Sequence, residues 1–404
     1  MSAPASTLAS TIDEPWAGPT TGQTRYASLD IVRGVAVFGI LLMNIHGFGG
    51  SMGPELFRDS GDTGANWWAW MVMATVFEGT QRTLFSLLFG AGVIILTERA
   101  ERSGAGIGVA DIYYRRNLWL IAFGMLNSYV LLWSGDILYF YGLVALFLFP
   151  FRKLSPRSLI LTGLTAMSIS VSLDILDGRE VQAQHAAFVE AQAAQEAGGA
   201  LSKEQEDALE AWPKAVKDYK FDPEQYEKRL EAYRGSYSDI FVFNLPELKN
   251  AHGNITYRFL FLDAFMIMTI GMALMKLGVL TLERSTRFYV LMMLGGYAIG
   301  LPINAWEVFH YAGNNFSFLA DSHTWWSYHL GRLFTALGHL GLLLLFVRSG
   351  ILAGFQERLA AVGRMALTNY LMHSVIAAFL FYGFGLGLYG HLDPWELYVV
   401  VGFI

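Results

Sequence analysis

At 404 residues, 54% hydrophobic and only 15% charged, the chain has far fewer charges than the rough quarter usual in soluble domains, and its mean hydropathy of +0.38 points to lipid as its solvent. A formal net charge of −6 gives no reason to expect a nucleic-acid partner. Zero cysteines exclude disulfides, thiolate catalysis and Cys-ligated metals.

In chain order, residues 1–24 are small and polar, with no basic stretch leading into a short apolar core. They read as a disordered cytoplasmic tail rather than a signal peptide. Apolar runs long enough to span then predict helices over 29–49, 82–97 (approached by a helix from Trp67), 117–134, 136–151 and 159–176. Residues 178–255 are an island rich in Ala, Glu, Gln and Lys. Within it, Ser202-Lys203-Glu204-Gln205 and Asp222-Pro223-Glu224-Gln225 have the pattern of helix starts, an N-cap followed three residues later by a side chain that can reach back. Further spans are predicted over 256–280, 288–309, 326–348 and 365–387. A tenth opens near Pro394 and is read as truncated at Ile404. The fold class is therefore all-α, a polytopic transmembrane bundle of about ten helices. Its parts are the tail, N-terminal spans over 25–177, an extracytoplasmic helical insertion over 178–255 and C-terminal spans over 256–404.

Lys and Arg in the connections set the orientation. Arg99, Arg102, Arg115, Arg116, Arg152, Lys153, Arg157, Arg284, Arg287, Arg348, Arg358 and Arg364 fall on one side. The other side carries mainly Arg58, with Asp59, Asp62, Asp136, His310, Asp321 and His323. The N-terminus is thus expected in the cytoplasm and the island outside.

Ionisable groups inside spans are costly and mark interiors or wet cavities. Asp30 and Arg33 can pair at i,i+3. Asn44 lies about three turns beyond Arg33 on nearly the same face. His46 would point away from Asn44 unless the glycines at 47, 49 and 50 unwind the helix. Glu78 and Arg82 form an i,i+4 pair. Asn304, Glu307 and His310 step by three, His329, Arg332, Thr335 and His339 share a stripe, and Asn369 and His373 share a face. Asp136 opens its span from the outer side. Several histidines fall near one depth, where structure alone does not call for titratable groups. No metal motif is present.

The blocks RYASLDIVRGVAVFGILLMNI, TLFSLLFGAG, WSGDILYFYGLVAL and VGRMALTNYLMHS resemble the YeiB-like bacterial inner-membrane proteins, in the same order and over nearly the whole chain. At greater distance, the LDxxRG opening is similar to that of transmembrane acyltransferases such as the heparan-α-glucosaminide acetyltransferases. That resemblance implies a membrane-bound O- or N-acyltransferase in the cell inner membrane. Acyl-CoA or acetyl-CoA would be the donor, no metal is expected, and a glycan or lipid outside would be the acceptor. The position matching the histidine of the bacterial O-acyltransferases is Asn44. His46 is the first choice of base and His329 the second, with Asp136 orienting base or acceptor. Arg33, Asn44, Arg82, Arg332, His339, Glu307, Asn369 and His373 are the candidate substrate-binding residues. The rival reading is a carrier or lipid-handling protein with a buried polar path and no chemistry. Expected partners are the bilayer and a second copy of the chain, not nucleic acid.

Overall fold

The computed structural model describes residues 26–51 and 64–404, and its regular elements are helical throughout. The tail expected over 1–24 and the charges Arg58, Asp59 and Asp62 lie outside the described residues. Helix α1 (Ala27–Gly49) is followed by a composite of α2 (Ala65–Val72), a π-helical turn (Met73–Phe77) and α3 (Thr80–Arg102). Next come α4 (Gly108–Tyr129), α5 (Leu138–Leu148) and the long α6 (Pro156–Glu196). Two short helices, α7 (Lys203–Tyr219) and α8 (Pro223–Arg234), precede a second composite of α9 (Tyr237–Asn250), a π-helical stretch (Ala251–Leu260) and α10 (Phe261–Lys276). The chain continues through α11 (Thr286–Gly313), α12 (Phe318–Ser322), α13 (Trp325–Ser349), α14 (Ala353–Arg364), α15 (Ala366–Phe381) and α16 (Pro394–Val401).

Among the described residues, six helices are long and apolar enough to cross a membrane: α1, both composites, α6, α11 and α13; α15 is apolar but shorter. Helices suit lipid because each satisfies its backbone N–H and C=O groups within its own segment. The segments expected to span at 117–134, 136–151 and 365–387 are not among these six. Helix α4 carries Arg115, Arg116, Asn117 and Asn127, and α5 has 11 residues, about 16 Å of helix. Leu161, Leu164, Leu291, Leu294 and Leu342 are exposed, as lipid-facing side chains would be.

The expected insertion is continuous with the bundle. Helix α6 runs unbroken through residue 178 to Glu196, and α9 passes into the π-helical stretch and α10. The helix starts read from the sequence are present. Ser202 and Gln205 form a reciprocal capping box, and Asp222 accepts from the backbone N–H groups of Glu224 and Gln225. The island folds over one end of the bundle as a cap. Tyr219 and Tyr311 hydroxyls meet at 2.7 Å, the Tyr226 hydroxyl donates to the Gly50 carbonyl at 3.0 Å, and Arg234 Nε donates to the Tyr389 carbonyl at 2.9 Å. At the opposite, basic end, cationic side chains satisfy carbonyls at helix ends and in the turns between them: Lys276 donates to the carbonyls of Arg152 and Leu154, Arg284 to that of Leu277, and Arg348 to that of Leu282.

Small residues let the helices approach to backbone contact. Gly90 of α3 lies against the Met268 backbone, and Gly271 of α10 lies reciprocally against the Leu87 backbone. A Cβ at either would collide with main chain, which cannot yield cheaply. This seam brings Arg82 of α3 and Asp263 of α10 together. Gly271→Val should therefore lower stability by about 1–3 kcal/mol or more. Gly295→Val, on α11 with nothing within 4 Å of its would-be Cβ, should change it little. Thermal unfolding of both variants in one detergent checks this; equal losses would refute the seam.

Candidate functional site

The site is a buried charge cluster between cavities. Asp263 is its centre. Its carboxylate meets Arg332 Nη2 of α13 in direct contact and Arg82 Nε of α3 at 3.6 Å. Arg332 is only 1% exposed, and its guanidinium lies 4.6 Å above the Tyr328 ring. Arg82 Nη2 donates to the Tyr328 hydroxyl at 3.2 Å. His329 extends the cluster toward α6. Its Nδ1 is 2.6 Å from Arg332 Nη2 and 3.4 Å from Asp263, while Nε2 is 2.9 Å from Ser170 Oγ and 3.1 Å from Asp174. With Arg332 donating to Nδ1, the ring hydrogen falls on Nε2, toward Asp174. Burying two guanidinium groups so close together is tolerable only because the carboxylate lies between them.

A cavity of about 580 Å³ opens above this cluster toward the cap. Its charged floor is Arg82, Asp263, His329 and Arg332, and its walls rise through Asp174, Asp177 and Arg258 to Glu180 and Gln184. A second cavity, about 420 Å³, lies toward the basic end among Arg33, Arg116 and Arg364, with Phe85, Leu88, Phe89 and Phe123 as apolar lining. Tyr141 lines this second cavity, and its hydroxyl donates to the Arg82 carbonyl at 3.1 Å and meets Ser86 Oγ at 2.5 Å. Tyr141, on the second cavity, is thus hydrogen-bonded to Arg82, which lines the first. A third cavity of about 280 Å³, lined by Asp136, Arg229, Glu247 and His252, also reaches Arg82 from the cap side.

The sequence candidates distribute unevenly over this geometry. Arg82, His329 and Arg332 form the cluster. Arg33 lines the basic-end cavity and donates to Asp30 at 3.2 Å, the pairing expected from their spacing. Arg82 does not pair with Glu78 as read, because the chain breaks at Gly79 (φ 65°), and it turns to Asp263 and Tyr328 instead. His46 lines none of the three cavities; α1 stays helical through Gly49, so the glycines do not re-aim it, and its ring meets Tyr398 edge-on. Asn44, on the same unbroken helix, lines none either.

Other candidates have structural partners. Asp136 accepts from Asn127, Tyr370 and the Tyr139 backbone N–H, holding the start of α5. His339 Nε2 and Asn304 Nδ2 bond the Val76 and Thr75 carbonyls freed by the π-helical turn. Glu307 accepts from Ser327, and Asn369 bonds the Val362 carbonyl. His373 is buried on α15 away from the three cavities.

Asp263, Asp174, Ser170, Tyr141 and Tyr328 went unread. Asp263 is solitary in its apolar run (FLDAFMIM), and Asp174 sits with Asp177 at the end of one (SLDILD), a signal in itself. Their partners sit on other helices, out of reach of a same-helix spacing test. Among the described residues, no three His, Asp or Glu side chains converge as a metal-ligand set.

Membrane-crossing helices that enclose paired charges between two cavities define a polytopic membrane protein with an internal polar site, more than an anchor. Residues 274–404 match the family described as Protein of unknown function (DUF418). Over 93% of its length the chain is 27% identical to the uncharacterized protein YxaH of Bacillus subtilis (strain 168) and 29% identical to the uncharacterized protein YeiB of Escherichia coli (strain K12), covering 86% and 88% of those proteins. A 145-residue stretch is 30% identical to an uncharacterized 39.9 kDa protein in the amylase 3′ region of Bacillus acidopullulyticus, 39% of whose length it covers. The chain is thus similar to YxaH and YeiB along most of its length, and its C-terminal third matches the DUF418 region. No solved structure matches.

The cluster makes a direct prediction. Arg332→Leu leaves Asp263 facing one guanidinium fewer and should cost about 3–5 kcal/mol, whereas the double variant with Asp263→Leu should recover part of that. Thermal unfolding of the two singles and the double closes the cycle. Strictly additive losses would show that the pair contributes no coupling.

Proposed function

We propose that the protein is a membrane-embedded acyltransferase of the bacterial inner membrane. The basic end faces the cytoplasm, following the Lys and Arg distribution, and the cap lies outside. The observation that carries the reading is the pair of cavities back to back across the Tyr141–Arg82 contact. The basic-end cavity offers three guanidinium groups and an apolar wall, a fit for a phosphate-bearing acyl carrier such as acyl-CoA or acetyl-CoA. The cap-end cavity offers a titratable pair, His329 and Asp174, to an acceptor outside.

In the reaction, an acceptor hydroxyl or amine attacks the thioester carbonyl carbon. The new C–O or C–N bond forms as the C–S bond breaks. The acceptor's proton passes to the His329–Asp174 pair, and the sulfur leaves as a thiolate and takes up a proton to give the free thiol. Arg82 and Arg332 supply fixed positive charge to the developing oxyanion in this reading. In this reading Asp174 takes the proton and the His329 Nε2–H holds that carboxylate in place, both of them lining the cap-end cavity.

A carrier is the second reading. It is favoured by the two composite helices, both broken by π-helical segments beside the cluster, as discontinuous helices are in transporters.

The test uses purified protein in nanodiscs with labelled acetyl-CoA. His329→Ala should abolish thioester turnover while CoA binding persists. Arg116→Ala should weaken CoA binding roughly tenfold, the loss of one charge-assisted contact. His46→Ala should keep turnover. No turnover by the unaltered protein, with CoA unbound at millimolar concentration, would leave the carrier.

A further inference from the structure

The cap-end cavity has a side door. In the half of the bundle nearer the basic end, α6 and α10 pack tightly, with Gly163 against the Met266 carbonyl and the Ile270 side chain. Farther along, the space between α6 and the π-helical stretch before α10 becomes the cavity itself. Its wall there includes Leu173 and Phe259, which are 44% and 46% exposed and so face outward. The opening is bridged by Arg258, whose Nη2 donates to both carboxylate oxygens of Asp177, at 2.8 and 2.7 Å.

Depth gives this opening a meaning. Asp177 lies 21 residues beyond Pro156, about 30 Å from the basic end of α6, the thickness of a hydrocarbon core. The Arg258–Asp177 pair therefore stands at headgroup level. Leu173 and Asp174 lie about one turn deeper, at the edge of the acyl chains. Asp174 is the partner of His329. A molecule entering sideways here would keep its apolar part against Leu173, Phe259 and Leu260 while its polar part came within a turn of His329. A solute entering from water would have no use for an apolar, outward-facing wall. Above the floor, Phe318 and Trp325 offer flat apolar faces and Glu180 and Gln184 offer polar groups, a lining suited to a hydroxylated headgroup.

We infer that the acceptor is a polyol-headed lipid of the leaflet at the cap end, admitted through a lateral mouth between α6 and residues 258–260 that the Arg258–Asp177 ion pair latches. The inference rests on the acyltransferase reading for the word acceptor, but the lipid site itself does not need it.

The test exploits the absence of cysteine. Asp177→Cys/Arg258→Cys is reconstituted in vesicles containing phosphatidylglycerol with a photoreactive diazirine in one chain. A short bis-maleimide then joins the two thiols in half of the sample. Expected is photolabelling of the segments holding Leu173 and Phe259–Asp263 before cross-linking, and its loss afterwards, with CoA binding at the basic end equal in both halves. If the reagent fails to join the pair, Leu173→Trp, which narrows the mouth without touching the charged floor, should produce the same loss. Labelling that is absent, or indifferent to both the cross-link and Leu173→Trp, overturns the lateral mouth. Transfer from labelled acetyl-CoA is read in the same vesicles. Mouth-dependent labelling without transfer keeps the lipid site and removes the chemistry. Thioester turnover without lipid labelling keeps the chemistry and removes the lipid.

Discussion

The structure depends on one carboxylate. Asp263 stands between Arg82 and Arg332, and without it α3, α10 and α13 could not hold two guanidinium groups so close together within the bundle. His329, Tyr328 and Asp174 are arranged around that charge cluster, and α6 joins it through Ser170. The glycine seams serve the same end. Where Gly90 and Gly271 let α3 and α10 touch, Arg82 and Asp263 come within reach; a bulkier seam would hold them apart.

Broken helices supply the rest of the geometry. The π-helical turn at Met73–Phe77 and the break at Gly79 free carbonyls, and Asn304 and His339 are committed to satisfying them. That commitment accounts for two polar side chains that otherwise look like ligand groups. The longer π-helical stretch at Ala251–Leu260 places Arg258 on the wall of one cavity and His252 on the wall of another. Such irregular backbone is tolerated at membrane depth where neighbouring side chains or a wet space satisfy it.

The fold class was legible because lipid imposes a simple rule, long apolar runs between basic ends, and α1, α6, α11 and α13 obey it. Helix starts in the cap were legible for an equally local reason, the side-chain to backbone reach of Ser202 and Asp222. The site was legible only where it announced itself on one helix. The stripe of His329 and Arg332 was visible, but half of its apparent continuation, His339, turned to a different partner. Asp263 and Asp174 were hidden because their partners are brought in by tertiary packing, which spacing along one helix does not encode. The glycines after His46 suggested a re-aimed ring, but α1 runs unbroken through Gly49 and the ring meets Tyr398, because those glycines stay helical.

The two back-to-back cavities are the centre of the functional account, and a bound donor tests them most directly. The measurement is a density map of the full chain in nanodiscs with a thioether analogue of acetyl-CoA, which binds but cannot transfer. The account predicts phosphate density among Arg33, Arg116 and Arg364, with the acyl end at Tyr141 facing Arg82. Density for the analogue in the cap-end cavity alone, or an empty basic-end cavity at saturating analogue, would contradict it.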